Sequence, residues 1–146
     1  MTGWVIDASM ALAWVFPDER SDEADRFFEH VAPGDARWVP SLWWLEVTNA
    51  LLSARRRGRL TEAEAVRAIQ IFGELQLETD ALTGAEGAWR LHVLAKRYVL
   101  SAYDAAYLEL AQRKTLGLAT LDEKLSEAAR QSGLPVFPPG AMAGET

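Results

Sequence analysis

Runs of two or three apolar residues, bounded by turn-formers or polar residues, alternate along this chain with longer segments of helical period. That alternation is the tightest constraint on the fold. Strand, helix, strand, helix along a sequence implies parallel strands joined by helical crossovers. Val5-Ile6, Trp38-Val39, Leu118-Ala119-Thr120 and Val136-Phe137 read as the strands of a short central sheet. Ala11 to Val15 reads as a helix stopped by Pro17, and Ser21 as the cap of a second helix running to about Val31, ahead of Pro33-Gly34. Pro40-Ser41 opens a long helix, LWWLEVTNALLSARRR, ended by Gly58. Thr61 and Glu64 form a capping box for the next helix. Thr83 and Glu86 repeat the signature before a helix to about Tyr98, and Ser101 and Asp104 before one ending near Gly117. A last helix spans about Asp122 to Ser132, with Gly133 as its stop. The expected class is α/β without internal repeats, with residues 1–137 as one domain and PPGAMAGET, residues 138–146, as a loosely held tail.

A chain of 146 residues is long enough to bury one core. It has no cysteine, which excludes disulfides, thiolate zinc sites and a cysteine nucleophile, and fits a reducing compartment. The chemistry must come from oxygen and nitrogen. No basic leader precedes an apolar stretch and nowhere do about 18 apolar residues run together, so a soluble cytoplasmic protein without membrane contact is expected. The net charge of −6 argues against binding nucleic acid through the overall field. A nuclease built on carboxylates escapes that argument, because divalent metal ions make its site attractive to phosphate.

Certain acids stand in unusual company. Asp7 ends the first strand and is the only charged residue among the first 17. Glu46 is the only charge in WVPSLWWLEVTNALLSA, and Asp104 the only one in YVLSAYDAAYL. Asp122 directly follows the LGLATL strand, beside Glu123 and Lys124. Each has a structural explanation: Asp7 or Asp122 as a helix cap, Asp104 as the acid of its cap, Glu46 paired with an arginine. Together they point elsewhere, since Glu46 is mid-helix and no lysine or arginine lies in the three apolar stretches. A metal ion is the natural source of the missing positive charge.

In parallel α/β sheets, sites form beyond the carboxyl ends of the strands and at the starts of the following helices, where Asp7, Asp104 and Asp122 would lie. Glu46 and Asn49, three apart, share a helix face. Carboxylates without imidazole or thiolate suit Mg²⁺ or Mn²⁺, which activate water for in-line phosphodiester displacement. The residues therefore suggest metal-dependent phosphoryl hydrolysis.

VIDAS near the start, LEVTNAL in an early helix, YDAAYLELA two-thirds along and ATLDEKL near the end resemble the PIN domain, specifically the VapC-type toxins of toxin-antitoxin pairs. The resemblance extends from about Trp4 to Phe137 in the family's order and spacing. It implies a small three-layer α/β/α sandwich with a short central parallel sheet, and an Mg²⁺- or Mn²⁺-dependent endoribonuclease acting on structured RNA such as transfer or ribosomal RNA. By motif, Asp7, Glu46, Asp104 and Asp122 fall on the four acidic positions. Asp7 and Asp104 would be the principal metal ligands, with Glu46 and Asp122 binding directly or through water. Ser9, Asn49 and Thr120 match polar positions that orient ligands or water. The resemblance further implies a homodimer and a VapB-like antitoxin that covers the acids, often with an arginine.

Arg55, Arg56, Arg57 and Arg59 close the Glu46 helix, where cations favour the macrodipole and a solvated face; contact with RNA phosphates is the alternative. His30 and His92 lie outside the acidic motifs and are expected to be surface or structural residues. Trp43-Trp44 would serve the core, a dimer contact or a partner groove. Two further functional classes compete. A receiver-like phosphotransfer domain would need a strand-end lysine and paired acids by the first strand, and a phosphatase D-x-D where this chain has Asp7-Ala8-Ser9. A non-catalytic PIN-like binding module would be marked by a missing acid, and all four are present.

Overall fold

The computed structural model describes residues 2–16, 18, 21–82 and 84–139. In chain order these form β1 (Gly3–Ile6), α1 (Ala8–Val15), α2 (Asp22–His30), β2 (Ala36–Pro40), α3 (Leu42–Arg56) and α4 (Glu62–Glu74). There follow β3 (Glu78–Asp80), α5 (Gly84–Tyr98), α6 (Ala102–Lys114), β4 (Gly117–Ala119), α7 (Glu123–Gln131) and β5 (Val136–Phe137). The strands make one five-stranded sheet in the order β3-β2-β1-β4-β5, and every neighbouring pair is parallel. Central strands of such a sheet must be apolar because helices cover both faces. Val5, Ile6, Val39, Leu118 and Ala119 are accordingly buried in the middle of a three-layer α/β/α sandwich.

Helix α6 is the main inner helix, packing against β1, β2 and β4 with Tyr107, Leu108, Leu110 and Ala111 fully buried. Each large side chain so buried contributes about 1.5–3 kcal/mol relative to exposure. Trp43 of α3 is likewise fully buried, its ring edge-on to Phe72 of α4, so it is a core residue. Trp44 is half-buried and donates from Nε1 to Thr79 Oγ1 at 2.9 Å, tying α3 to β3.

Short-range sequence signals place most element starts correctly. Ser21 Oγ accepts the Ala24 N–H, and Thr61 and Glu64 complete both halves of the capping box. Ser101 Oγ accepts the Asp104 N–H at 3.1 Å. Ser41 precedes α3 but makes no side-chain cap. Pro17, Thr83 and residues 140–146 of the expected tail lie outside the described residues.

Three differences have physical causes. Helix α1 begins at Ala8, immediately after Asp7 rather than at Ala11, because the strand-to-helix turn needs no loop. Helix α6 ends at Lys114, with Thr115 in the left-handed region at φ 55°, short of the expected Gly117. Gly117 is instead in β4, where a Cβ would stand 2.6 Å from the Trp4 ring, so glycine is required for that close approach. Strand β3 has no counterpart in the sequence reading: Glu-Thr-Asp carries no apolar signal, since this edge strand pairs only with β2 and faces water.

Candidate active site

The chain leaves β1 in one direction, reaching β2 and then β3, and later fills the other side of β1 with β4 and β5. The order therefore reverses between β1 and β4, and it is beyond the carboxyl ends of such a pair that parallel α/β sheets form their sites. Asp7 follows β1 there, and Thr120 and Asp122 follow β4. The backbone joins the two ends, Asp7 N–H donating to Ala119 C=O at 2.8 Å.

Asp7 is 8% exposed. It occupies the cap position of α1, yet its side chain makes no capping bond. Its Oδ2 instead accepts hydroxyl protons from Thr120 at 2.6 Å and Ser9 at 2.7 Å, while Oδ1 takes no hydrogen bond from the described residues. The Leu121 N–H donates to Ser9 Oγ at 3.1 Å and the Asp122 N–H to Thr120 Oγ1 at 3.0 Å, fixing both hydroxyl oxygens. Asp122 does cap α7: its Oδ1 accepts the Lys124 and Leu125 N–H groups. The expected cap is thus present for Asp122 and absent for Asp7.

Glu46 and Asp104 enter from helices. Strand β2 delivers the chain into α3 at the carboxyl edge of the sheet, and Glu46 sits near the start of that helix. Helix α6 leads into β4, so its first turn, with Asp104, lies at the same edge. Glu46 forms no ion pair with an arginine among the described residues; its Oε1 accepts the Tyr107 hydroxyl at 2.5 Å. Burial raises the Glu46 carboxyl above its ordinary range, with Asp7 and Asp104 adding to the shift against the Tyr107 hydrogen bond. The Asp7 carboxyl is raised chiefly by burial, and further by Asp104 and Asp122. Asp104 is raised by burial and then by Asp122, with the Ser101 hydrogen bond and the Lys124 charge opposing. The four acids thus lie within one another's fields, and among the described residues none has a salt-bridge partner.

This donor set consists of carboxylate and hydroxyl oxygen, the chemistry of Mg²⁺ or Mn²⁺. Among the described residues no three Asp, Glu, His or Cys side chains stand close enough to enclose an ion by themselves. Mg²⁺ does not require that, since it commonly keeps several waters and takes one or two carboxylates. The donor types fit such an ion. Beside Thr120 and Asp122 opens a cavity of about 290 Å³, with Arg130 in its wall.

The other sequence candidates divide. Asn49 is on α3 one turn beyond Glu46, exposed and without a side-chain hydrogen bond among the described residues. Arg55 pairs with Glu62, and Arg59 holds Asp18 through two hydrogen bonds of 2.9 and 3.1 Å while lying over Phe16. Arg56 and Arg57 are exposed and have no ion-pair partner among the described residues. His30 stacks on Phe137 and His92 on Trp89, away from the acids. One residue escaped the sequence reading, Tyr107. A tyrosine on the same helix face as Asp104, three residues on, was the available signal, because a buried phenol needs a polar partner.

The family model for the PIN domain matches residues 4–131. The chain belongs to the PIN domain family. Among curated PIN relatives, ribonuclease VapC3 of Pyrobaculum aerophilum is 34% identical over 123 residues, covering 84% of this chain and 92% of the relative. VapBC2 from Rickettsia felis, solved bound to a DNA fragment from its promoter, shares the PIN fold at a TM-score of 0.66 and 13% identity, over 91% of this chain and 96% of the other. Mycobacterium tuberculosis VapC20, described as a sarcin-ricin loop cleaving toxin, does so at a TM-score of 0.63 and 20% identity, over 86% and 95%.

Proposed function

We propose that this PIN protein is the endoribonuclease toxin of a toxin-antitoxin pair and hydrolyses phosphodiester bonds of structured RNA with a carboxylate-bound divalent metal ion. The observation that carries the reading is the convergence at the β1/β4 switch point: burial and neighbouring acids hold the Asp7, Glu46 and Asp104 carboxyls above their ordinary range, Asp122 stands beside them, and no basic side chain pairs with any of the four among the described residues. The likeness to ribonuclease VapC3 supports ribonuclease activity, and the fold shared with the sarcin-ricin loop cleaving VapC20 supports a structured substrate.

Asp7 and Asp104 would hold Mg²⁺ or Mn²⁺, with Glu46 and Asp122 ligating directly or through water. Bound there, the ion supplies Lewis acidity toward the scissile phosphate and lowers the pKa of the attacking water. Thr120 and Ser9 fix Asp7 by donating to Oδ2, keeping Oδ1 available. Asp122 spends one oxygen on the α7 amides, so its role runs through the other. Of the arginine cluster, Arg56 and Arg57 would be the ones to take RNA phosphates, because Arg55 and Arg59 are engaged with Glu62 and Asp18. The VapBC2 assembly supports a cognate antitoxin, and the exposed Leu45, Leu52, Val66 and Ile69 of α3 and α4 support a homodimer.

Sequencing of new RNA ends after incubating the protein with total cellular RNA tests the proposal. Discrete ends that require Mg²⁺ or Mn²⁺, and that vanish with EDTA and in folded Asp7→Asn protein, are expected. Ends that persist under both controls would sink the site, and folded protein that binds RNA without cutting it would favour the non-catalytic module.

A further inference from the structure

We infer that Tyr107 is a positioning residue of this site, whose phenolic hydroxyl holds the Glu46 carboxylate at the switch point. The inference rests on the nuclease reading above. Tyr107 is 0% exposed and lies on α6 three residues after Asp104. Its Oη donates to Glu46 Oε1 at 2.5 Å, and the N–H of Ala8, next to Asp7, donates to Tyr107 Oη at 3.4 Å. One hydroxyl thus meets the helix of Glu46 and the start of α1, from the helix that carries Asp104.

The tether has a reason to exist. A glutamate side chain is long and rotamer-rich, so fixing it as a ligand costs conformational entropy. Glu46 is also half-buried and feels the charges of Asp7 and Asp104, which favour swinging the carboxylate out to water. A donor on Oε1 opposes that motion, and Oε2 takes no hydrogen bond from the described residues. If the ring served packing alone, phenylalanine would fill the same volume without burying a hydroxyl. Partners that orient a ligand in this way commonly govern metal affinity by about 10- to 100-fold.

The test is a four-way cycle of wild type, Tyr107→Phe, Glu46→Ala and the double variant, read by Mn²⁺ affinity from electron paramagnetic resonance, with RNA cleavage and melting temperature measured alongside. Tyr107→Phe is expected to weaken Mn²⁺ binding by about 10-fold or more while still melting cooperatively. In the Glu46→Ala background the same substitution is expected to change affinity by less than about twofold, since the carboxylate through which it acts is gone. Wild-type affinity in Tyr107→Phe, or an equal loss with and without Glu46, overturns the inference and leaves the nuclease reading standing if wild type binds Mn²⁺ and cuts RNA. Wild-type protein that neither binds Mn²⁺ nor cleaves RNA overturns both.

Discussion

Helix α6 carries two acids five residues apart that receive opposite treatment. Glu109 is buried beneath cations: Arg113 grips it through Nε and Nη2, and Arg90 approaches within 3.6 Å. The same Arg113 reaches across to Asp80 of β3 with hydrogen bonds of 3.0 and 2.6 Å. These contacts raise the proton affinity of Arg113, first through Glu109 and then through Asp80. Asp104, at the other end of the helix, faces Asp122 and has Lys124 only as a field, not as a partner in contact among the described residues. The first arrangement neutralises itself and fastens α5, α6 and the edge strand together. The second leaves a carboxylate with no cation in contact among the described residues. Folding provides an internal counter-charge for Glu109, and on the proposed reading withholds one from Asp104 because that carboxylate is to bind a cation.

Exchanging the two acids for their amides should separate these roles. Asp104→Asn is expected to lower RNA cleavage by roughly a thousandfold, the loss of several kcal/mol of metal-assisted stabilisation, while the chain stays folded. Glu109→Gln should leave cleavage per folded molecule unchanged and reduce unfolding free energy by about 1–3 kcal/mol, the cost of leaving a partly buried guanidinium short of its partner. Cleavage assays beside urea melts read both, and an interchange of the two outcomes would end the distinction.

A smaller effect concerns pH without metal. Asp7, Glu46 and Asp104 have folded-state proton affinities above the ordinary carboxylate range. Each therefore contributes stability that is present in full below that range and lost as pH rises through the raised value. In EDTA, Asp7→Asn should gain on wild type as pH climbs from about 4 to 7, because the amide never acquires the buried charge. Urea melts at several pH values measure the gap; a gap that narrows with rising pH would contradict the burial and repulsion described for Asp7.

Most of the candidate site was legible in the sequence because an isolated acid in an apolar run is a local signal. Asp7, Glu46 and Asp104 stand out in that way, and the β-α alternation places Asp7 and Asp104 at one edge of the sheet. What the sequence did not disclose depends on contacts between distant residues. Tyr107 looks like any core aromatic until the fold sets its hydroxyl on Glu46 of α3, 61 residues away. Strand β3 owes its existence to pairing with β2 and not to an apolar pattern of its own. The arginines show the same limit, since the engagement of Arg59 with Asp18 spans 41 residues of chain and removes it from an apparently uniform basic cluster.

The most direct measurement of the central claim is calorimetric titration of Mn²⁺ into wild type, Asp104→Asn and Glu109→Gln at pH 7.5. The account predicts that wild type and Glu109→Gln bind the ion alike and that Asp104→Asn does not. Binding retained by Asp104→Asn, or absent from folded wild type, would contradict it.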